Sequence, residues 1–155
     1  MTQPPKNAHT FVKKSVINTT LEKMMQFHEA PNAFATLTPP PIFVQVHRDD
    51  RTSIREGEIE FTLWVGLIPF RWLANHEAGP TEWSFADRMV KGPMAYWRHE
   101  HIFTEVDGGV ELTDNLTIAH KSGLQGIITR LLFDGIPLRI LFFYRHLRTR
   151  LGTTS

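Results

Sequence analysis

The sequence predicts an α+β domain with a seven-stranded antiparallel sheet, two short helices after the first strand and a long C-terminal helix over an apolar cavity. Hydrophobic residues alternate with a period of two in six successive segments between residues 42 and 120, and turn signals separate these segments. A helical period then runs from residue 123 almost to the end of the chain. Because 155 residues with 41% hydrophobic and 21% charged side chains are typical of one globular domain, we expect these elements to share one core.

The first strand and the two short helices are predicted near the N-terminus. Residues 11–18 are rich in β-branched side chains and predict a strand. Thr19 or Thr20 can cap the first helix, because a hydroxyl oxygen there accepts a hydrogen bond from a free backbone N–H group of the first turn. Pro31 favours a second short helix, and the three prolines at 39–41 force an extended chain after it.

Six further strands follow as an antiparallel meander. In the second of them, Ile59, Phe61 and Leu63 alternate with Glu58 and Glu60, so one face is apolar and the other is charged. This alternation is typical of a sheet that packs against a core on one side. The six predicted strands span residues 42–48, 56–65, 69–78, 82–90, 95–106 and 110–120.

The C-terminal segment predicts one helix of about 28 residues, which corresponds to roughly 40 Å. We expect Gly135 and Pro137 to kink this helix, and its apolar stripe to be the buried side. A single helix about 10 Å wide cannot cover a curved seven-stranded sheet, so the space between them becomes a cavity. The apolar stripe consists of Leu124, Ile127, Ile128, Leu131, Leu132, Ile136, Ile140, Phe143 and Leu147.

Composition excludes several classes of site and partner. The chain contains no cysteine, which excludes disulfides, thiolate nucleophiles and cysteine-bound zinc. A net charge of +1 gives no global signal for nucleic acid, so no nucleic-acid partner is predicted.

Residues 1–8 are polar and are predicted to be a disordered tail before a domain at residues 9–151. The most apolar run, residues 131–144, is shorter than the ~20 residues of a membrane span, and no apolar signal segment is found, so we expect a cytoplasmic location.

The stretch "WRHEHIF" at residues 97–103 places two histidines on the same strand face as two aromatic residues. A two-residue type I′ turn at Asp107 and Gly108 sets His101 opposite Asp114 on the next strand, and a turn one residue later makes them diagonal neighbours. Leucine and isoleucine residues alternate with polar ones around Asp114 and share its face. That face is therefore predicted to be the inner one.

An inward carboxylate needs a partner, and His101 is the predicted partner of Asp114. His99 is then the imidazole that we expect to meet a ligand. Three roles stay open for this group: a satisfied pair that holds the strand register, a polar anchor for a ligand carbonyl or hydroxyl, or a general acid and base. For the last role the catalytic candidates are His99, His101 and Asp114.

The two histidines together with Glu105 resemble the first half of the metal-binding motif of cupins. We nevertheless expect no metal and no other cofactor, for three reasons. Glu105 lies at the hairpin end of its strand. The second half of the motif contains glycines and a proline before its histidine, whereas "NLTIA" stands before His120. A long terminal helix also has no place in a small jelly roll.

Four stretches of the chain resemble those of one protein superfamily. They are "FHEAPNAFATLTPPP" (27–41), "FADRMVKGPMAYWRHEHIF" (85–103), "GGVELTDNLTI" (108–118) and "LFFYRHLR" (141–148). With the order of the elements, they are similar to the bacterial ligand-binding branch of the START-like helix-grip superfamily. This superfamily, also named SRPBCC, includes polyketide cyclases and dehydrases and lipid-transfer domains. The resemblance covers almost the whole chain from Phe11, and it implies a sheet that grips the C-terminal helix around an apolar ligand cavity.

The resemblance implies that the protein binds a hydrophobic small molecule, such as a lipid, an isoprenoid or a polyketide-like compound. One alternative is a cyclase-like or dehydratase-like enzyme that uses the inward histidines and aspartate as acid and base, and another is an interaction module with a filled, inert interior. The sequence leaves open whether a reaction is catalysed, which ligand is bound and how many chains assemble. The predicted ligand-binding residues are Phe61, Trp72, Phe85, Trp97, His99, His101, Phe103, Leu116, Ile118, Leu132 and Ile136.

The apolar turn near residues 66–72 is the expected opening of the cavity. Asp87 is expected inside, because it shares the inward strand face of Phe85. The arginines near the C-terminus are expected on a solvated face, with transient contact to an anionic membrane surface as an alternative. These arginines are Arg139, Arg145, Arg148 and Arg150.

Overall fold

The structure is a computed structural model that describes residues 3–154. All seven predicted strands are present and form one antiparallel sheet in the order β1-β7-β6-β5-β4-β3-β2, which confirms the predicted fold class. The first strand thus pairs with the last one, and the meander from β2 to β7 is continuous. The strands are β1 (His9–Ile17), β2 (Ile42–Asp49), β3 (Gly57–Val65), β4 (Ile68–Ala78), β5 (Ser84–Lys91), β6 (Tyr96–Val106) and β7 (Gly109–Ala119).

Four helices accompany the sheet. Two short ones carry the chain from β1 at one edge of the sheet to β2 at the other edge. The first begins after Thr20, whose hydroxyl oxygen accepts a hydrogen bond from the Lys23 backbone N–H at 3.2 Å, so Thr20 rather than Thr19 is the cap. The helices are α1 (Leu21–Glu29), α2 (Ala33–Thr36), α3 (Gly123–Phe133) and α4 (Gly135–Thr153).

The single C-terminal helix of the sequence prediction is two helices, so that prediction is wrong in this detail. Asp134 has extended backbone angles, and Gly135 adopts a φ of +57°, which side-chain-bearing residues rarely take. The Asp134 carboxylate caps α4 by accepting from the Gly135 N–H at 2.8 Å. It also accepts from His120 Nε2 at 2.7 Å and His9 Nε2 at 3.2 Å, which ties the break to the ends of β7 and β1. The predicted kink is therefore a complete interruption.

The buried face of α3 and α4 is not the predicted apolar stripe. The side chains that face the sheet include Phe142 and Leu138 but also several polar residues, and Thr149 and Thr153 satisfy their hydroxyls with the carbonyl four residues earlier. The buried set is Gly126, Thr129, Phe133, Leu138, Phe142, His146, Thr149 and Thr153. The exposed apolar set is Leu124, Ile127, Ile128, Leu131, Ile136, Ile140, Phe143, Leu147 and Leu151.

The last hairpin sets the register of the inner face. Val106 pairs with Gly109, so the two-residue connection and the position of His101 opposite Asp114 are confirmed. No residue other than glycine has a positive φ between residues 3 and 154, so Asp107 does not fit a type I′ turn. Gly109 has a φ of +139°, and a Cβ there would lie 2.0 Å from the Ile17 carbonyl oxygen, so the turn packs against the end of β1.

The predicted N-terminal tail is only partly covered by the described chain. Residues 1–2 of that tail lie outside the described residues. Residues 3–8 precede β1 and contain a turn in which the Ala8 N–H donates to the Pro5 carbonyl at 2.9 Å, and the disorder of the tail stays a prediction. Among residues 3–154, none of the helices combines the length and the apolar character needed to cross a bilayer.

Candidate functional site

A cavity of about 890 Å³ lies between the inner face of the sheet, the α1–α2 segment and the C-terminal helices. Most of its wall is apolar and aromatic. Phe61 stacks on Trp72 with 6.0 Å between ring centroids, Trp72 meets Trp97 edge-on at 5.3 Å, and Phe34 meets Phe61 edge-on at 4.9 Å. Helices α3 and α4 close the opposite side with Leu132, Phe133, Leu138 and Leu141.

The cavity opens at a place that the sequence did not predict. Of residues 66–72 only Trp72 lines it, and that side chain is buried, so the expected opening at this turn is wrong. The exposed lining residues instead come from the α1–α2 segment, the end of β2 with the loop after it, and the start of α4. They are Glu29, Pro31, Pro40, Pro41, Asp49, Thr52, Ser53, Pro137 and Ile140.

Seven of the eleven predicted ligand-binding residues line the cavity, namely Phe61, Trp72, Phe85, Trp97, His99, His101 and Leu132. The other four lie elsewhere. Leu116 and Ile118 are completely buried in the core cluster that contains Phe142, so they have no free surface. Phe103 packs in a second core cluster, 5.0 Å from the His28 ring, and Ile136 is 71% exposed on the outer side of α4.

The polar part of the wall follows from strand register. Asp87 on β5 is the direct cross-strand partner of His99 on β6, and His101 on β6 is the partner of Asp114 on β7. His76 on β4 is in turn the partner of Asp87. Residues two apart on a strand share a face, so all five side chains lie on the inner side of the sheet.

Asp114 is the buried centre of this group, with 2% of its surface exposed. His99 Nε2 donates to its Oδ1 at 2.6 Å, and His146 Nε2 from α4 donates to its Oδ2 at 2.7 Å. His101 Nδ1 lies 3.3 Å from the same Oδ1 without hydrogen-bond geometry. His101 thus lies within ion-pair distance of Asp114, as expected, but the expectation that His99 is free is wrong, because this diagonal imidazole makes the hydrogen bond.

Asp87 occupies the cavity side of the same two histidines. His101 Nε2 donates to Asp87 Oδ2 at 3.0 Å, and His99 Nδ1 lies 3.7 Å from that oxygen. The two imidazoles thus stand between two carboxylates, Asp114 behind them and Asp87 at the cavity. Asp87, His99 and His101 all line the cavity, while Asp114 does not.

Burial and the carboxylates act in opposite directions on the histidines. Burial lowers the pKa of His99 to about 4, against the influence of Asp114 and Asp87. Burial also opposes the charged form of His101, but the adjacent Asp114 and Asp87 outweigh it and raise its pKa. For both aspartates, burial favours the neutral acid, yet the surrounding histidines hold the carboxyl pKa below its ordinary value.

Two further polar side chains of the wall were not predicted as site residues. His28 on α1 donates through Nδ1 to the Met24 carbonyl at 2.8 Å, and burial, helped by nearby His101, lowers its pKa to about 3. The second is Arg145 on α4, predicted as a surface residue, whose guanidinium makes no hydrogen bond or ion pair within residues 3–154. Burial lowers its pKa against the influence of Asp114 and Asp87.

The signals for these missed residues are weak in the sequence. Arg145 and His146 are neighbours in a basic, apolar helix. Only their position toward the inner side of α4 distinguishes them from the exposed arginines near the C-terminus. Met24 and His28 are four residues apart on α1, which places His28 over the preceding turn but does not say that α1 covers β6. For Asp87 the strand parity was the correct signal.

Comparison with solved structures supports the architecture. No protein-family model matches the chain, and no curated protein matches it in sequence. Ginseng major latex-like protein 151 from Panax ginseng is 8% identical, covers 96% of this chain and 99% of its own, and superposes with a TM-score of 0.68. A START superfamily protein from Mycobacterium smegmatis is 11% identical, covers 94% of this chain and 97% of its own, and has a TM-score of 0.62. The chain has the START-like helix-grip fold.

The helix-grip chain also resembles part of a longer protein. A nucleoside-diphosphate sugar epimerase from Corynebacterium glutamicum is 24% identical over 91% of this chain, with a TM-score of 0.66. The chain spans 28% of the length of that epimerase. At these identities the similarity establishes the helix-grip fold alone. The function has to be inferred from the residues of the cavity.

Proposed function

We propose that this helix-grip protein binds a hydrophobic small molecule, such as a lipid, an isoprenoid or a polyketide-like compound, between its sheet and its C-terminal helices. The observation that carries the proposal is the cavity of about 890 Å³ with aromatic and aliphatic walls. Ligand cavities in proteins measure about 300–1,000 Å³ and are mostly apolar with a few polar groups. An inert module with a filled interior would leave no such space.

The polar groups favour a ligand with an oxygen-bearing end. Arg145 faces the cavity without a hydrogen bond or ion pair among the described residues, although its guanidinium lies 5.8 Å from the centre of the Phe142 ring. A guanidinium pairs best with a carboxylate or phosphate. His28 keeps Nδ1 on the Met24 carbonyl, which leaves Nε2 as an acceptor for a ligand hydroxyl. We therefore expect the ligand to place its apolar part against Trp72 and Trp97 and its oxygen atoms near Arg145 and His28.

The acid and base alternative has one observation in its favour. Asp114 fixes the His99 proton on Nε2, because a carboxylate only accepts, and the free Nδ1 then points to Asp87 at the cavity wall. Such an imidazole can take a proton from an enolisable ligand. Incubation with a poly-β-ketone tests this role. Cyclised or dehydrated product should form with the wild-type protein and should be lost in His99→Gln. Absence of product with wild type would contradict this catalytic role.

The outer face of α3 and α4 favours contact with an anionic membrane surface. Nine apolar side chains are exposed along these helices, from Leu124 to Leu151, and neither helix contains an acidic residue. Exposed arginines border the stripe at positions 130, 139, 148 and 150. An apolar strip on helices whose charged side chains are all cationic matches an interface of lipid tails and anionic headgroups. Ile140 belongs both to this strip and to the cavity wall, so a docked protein would present its opening to the bilayer. The cytoplasmic location stays a prediction from the sequence.

Native mass spectrometry of freshly purified protein tests ligand binding. We expect a bound apolar compound that organic extraction releases, and displacement of a fluorescent fatty-acid probe by it. Ala74 is 3% exposed and lines the cavity, so Ala74→Phe should fill the space and weaken probe binding at least about tenfold. Ala35→Phe, on the exposed side of α2, is the matched control and should bind like wild type. Equal binding by both variants, or no binding by wild type, would contradict the proposal.

A further inference from the structure

Three donor atoms converge on the cavity wall in a geometry that hydrogen bonding alone does not require. One atom each from Asp87, His99 and His101 lies within 4.8 Å of the other two. Asp87 Oδ2 is 3.0 Å from His101 Nε2 and 3.7 Å from His99 Nδ1. The convergence follows from strand pairing, because Asp87 is directly opposite His99 and His101 is two residues further along the same face.

The opposite nitrogens of both rings turn to one buried carboxylate. His99 Nε2 donates to Asp114 Oδ1 at 2.6 Å, and His101 Nδ1 lies 3.3 Å from the same oxygen. His101 Nδ1 is a buried nitrogen without a hydrogen-bond partner in the described chain, so its position has no structural explanation as it stands. A carboxylate behind a metal-binding histidine orients the ring and keeps the proton on the rear nitrogen, which leaves the front nitrogen free to bind.

We propose that Asp87, His99 and His101 bind a divalent first-row transition metal ion at the cavity wall, with Asp114 as the positioning residue that accepts the hydrogen bond of His99 and lies 3.3 Å behind His101. Two imidazoles and one carboxylate form the donor set that suits zinc, iron(II) and similar ions, whereas magnesium and calcium prefer oxygen atoms alone. Two carboxylates, Asp87 and Asp114, adjoin the site, and their charges match that of a divalent ion. The proposal goes beyond ligand binding and does not depend on which apolar molecule occupies the cavity.

The distances from Asp87 to the two imidazoles are close to those of a metal site. Ligand atoms about 2.1 Å from one ion, at angles between octahedral and tetrahedral values, lie roughly 3.0–3.4 Å apart. The separation of 3.0 Å is within this range, and the separation of 3.7 Å requires a movement of a few tenths of an ångström. Because all three side chains line the cavity, the remaining coordination positions face it and can hold water or an oxygen atom of the bound ligand.

The third ligand explains why the sequence motif gave the opposite expectation. The cupin-like interpretation required Glu105 on β6 and a third histidine from a second half of the motif, and neither belongs to this site. The carboxylate comes from β5 instead, where Asp87 has no sequence proximity to the two histidines. Only the pairing of Asp87 with His99 brings the three together.

Metal titration of chelator-treated protein tests the site. We expect one Zn²⁺ or Co²⁺ ion per chain at micromolar or tighter affinity, with visible Co²⁺ absorption that Zn²⁺ abolishes. Asp87→Asn keeps the shape of a partly exposed side chain and should weaken Zn²⁺ binding about tenfold or more, and Asp114→Asn should weaken it about 10- to 100-fold. His120→Gln is the matched control, because His120 is also a buried imidazole beside a carboxylate, Asp134, but lies outside the cavity wall.

Nuclear magnetic resonance of the histidine side chains supplies a readout that does not depend on stability. Zn²⁺ should shift the ring signals of His99 and His101 and leave those of His120 in place. The proposal is overturned if wild type binds neither ion, or if Asp87→Asn binds as tightly as wild type. It is also overturned if the ion shifts other histidines instead, because the ion would then occupy a different site.

Discussion

His146 Nε2 donates a hydrogen bond to Asp114 Oδ2 at 2.7 Å, which joins α4 to β7 across the inner side of the sheet. Ser15 Oγ lies 2.7 Å from the other nitrogen of the same imidazole, so the ring also contacts β1. Because both side chains are buried, this contact fixes how α4 crosses the sheet. The position of α4 in turn determines which of its residues reach the cavity, including Arg145.

Loss of the Asp114 charge should destabilise the fold. In Asp114→Asn the amide presents a donor to imidazoles that already donate, and a buried network with one unmatched member costs about 3–5 kcal/mol. Urea denaturation followed by tryptophan fluorescence measures the change. Asp50→Asn, in an exposed ion pair with Arg48, is the control and should leave the midpoint unchanged. A midpoint for Asp114→Asn equal to that of wild type would show that Asp114 does not hold α4 on the sheet.

Acid should destabilise the protein through His28. Its folded-state pKa of about 3 lies below the ordinary value of 6.5, because burial and the nearby His101 oppose its charge. The unfolded chain therefore binds more protons between these two pH values, and the free energy of unfolding falls as the pH falls, by up to about 1.4 kcal/mol per pH unit. This contribution is complete above pH 6.5 and is lost toward pH 3.

Variants isolate the His28 contribution from those of the other buried histidines. His28→Leu removes the titrating group, and chemical denaturation at a series of pH values should show a shallower decline below pH 6.5. His47→Gln, on the exposed surface of β2, should keep the wild-type slope. If His28→Leu and wild type have the same slope, His28 does not couple folding to protonation.

The Arg145 guanidinium should discriminate acidic from neutral ligands. Arg145→Met keeps the length of the side chain and removes its charge, so the affinity for a fluorescent fatty acid should fall about tenfold or more. The affinity for the matching fatty alcohol should stay the same. Arg148→Met, an exposed position on the same helix, is the control for net charge. Equal losses for the acid and the alcohol would mean that Arg145 shapes the cavity without recognising charge.

The exposed helix stripe should bind anionic vesicles. Phe143 is 62% exposed on α4 and Phe43 is 59% exposed on β2, so they form a matched pair of surface aromatics. We expect Phe143→Glu to abolish cosedimentation with phosphatidylglycerol-containing vesicles, and Phe43→Glu to retain it. Neutral phosphatidylcholine vesicles should bind less, because the arginines beside the stripe then lack anionic partners. A wild-type dimer that Phe143→Glu converts to a monomer, without vesicle binding, would assign this stripe to a second copy of the chain.

Most of the fold could be predicted because it depends on local periodicity. Alternation of Ile59, Phe61 and Leu63 with charged residues identifies a strand and its inner face wherever the strand is placed. Turn glycines then limited β6 and β7 to two registers, and the structure has the one that sets His101 opposite Asp114. Because one helix is too narrow to cover a seven-stranded sheet, the sequence predicted a cavity, and the structure contains one.

The site could be predicted only in part, because strand parity says which side chains share a face but not which atoms are nearest. His99 reaches Asp114 diagonally, and Asp87 comes from a strand whose register depends on long-range pairing. The helix face was assigned wrongly for a different reason. A side of a helix that borders a cavity and a polar network does not need the most apolar stripe, so the periodicity of α4 selected its exposed side.

The sequence by itself determined the strands, the inner face of the sheet and the presence of inward histidines and aspartates, because these depend on the period of two and on turn chemistry. Only the tertiary structure decided the break at Asp134, the orientation of α4, the opening of the cavity and the partners of Asp114. These features depend on contacts between residues far apart in the chain, such as His146 with Asp114. The helix or strand preference of each segment is compatible with several tertiary arrangements, and packing selects one of them.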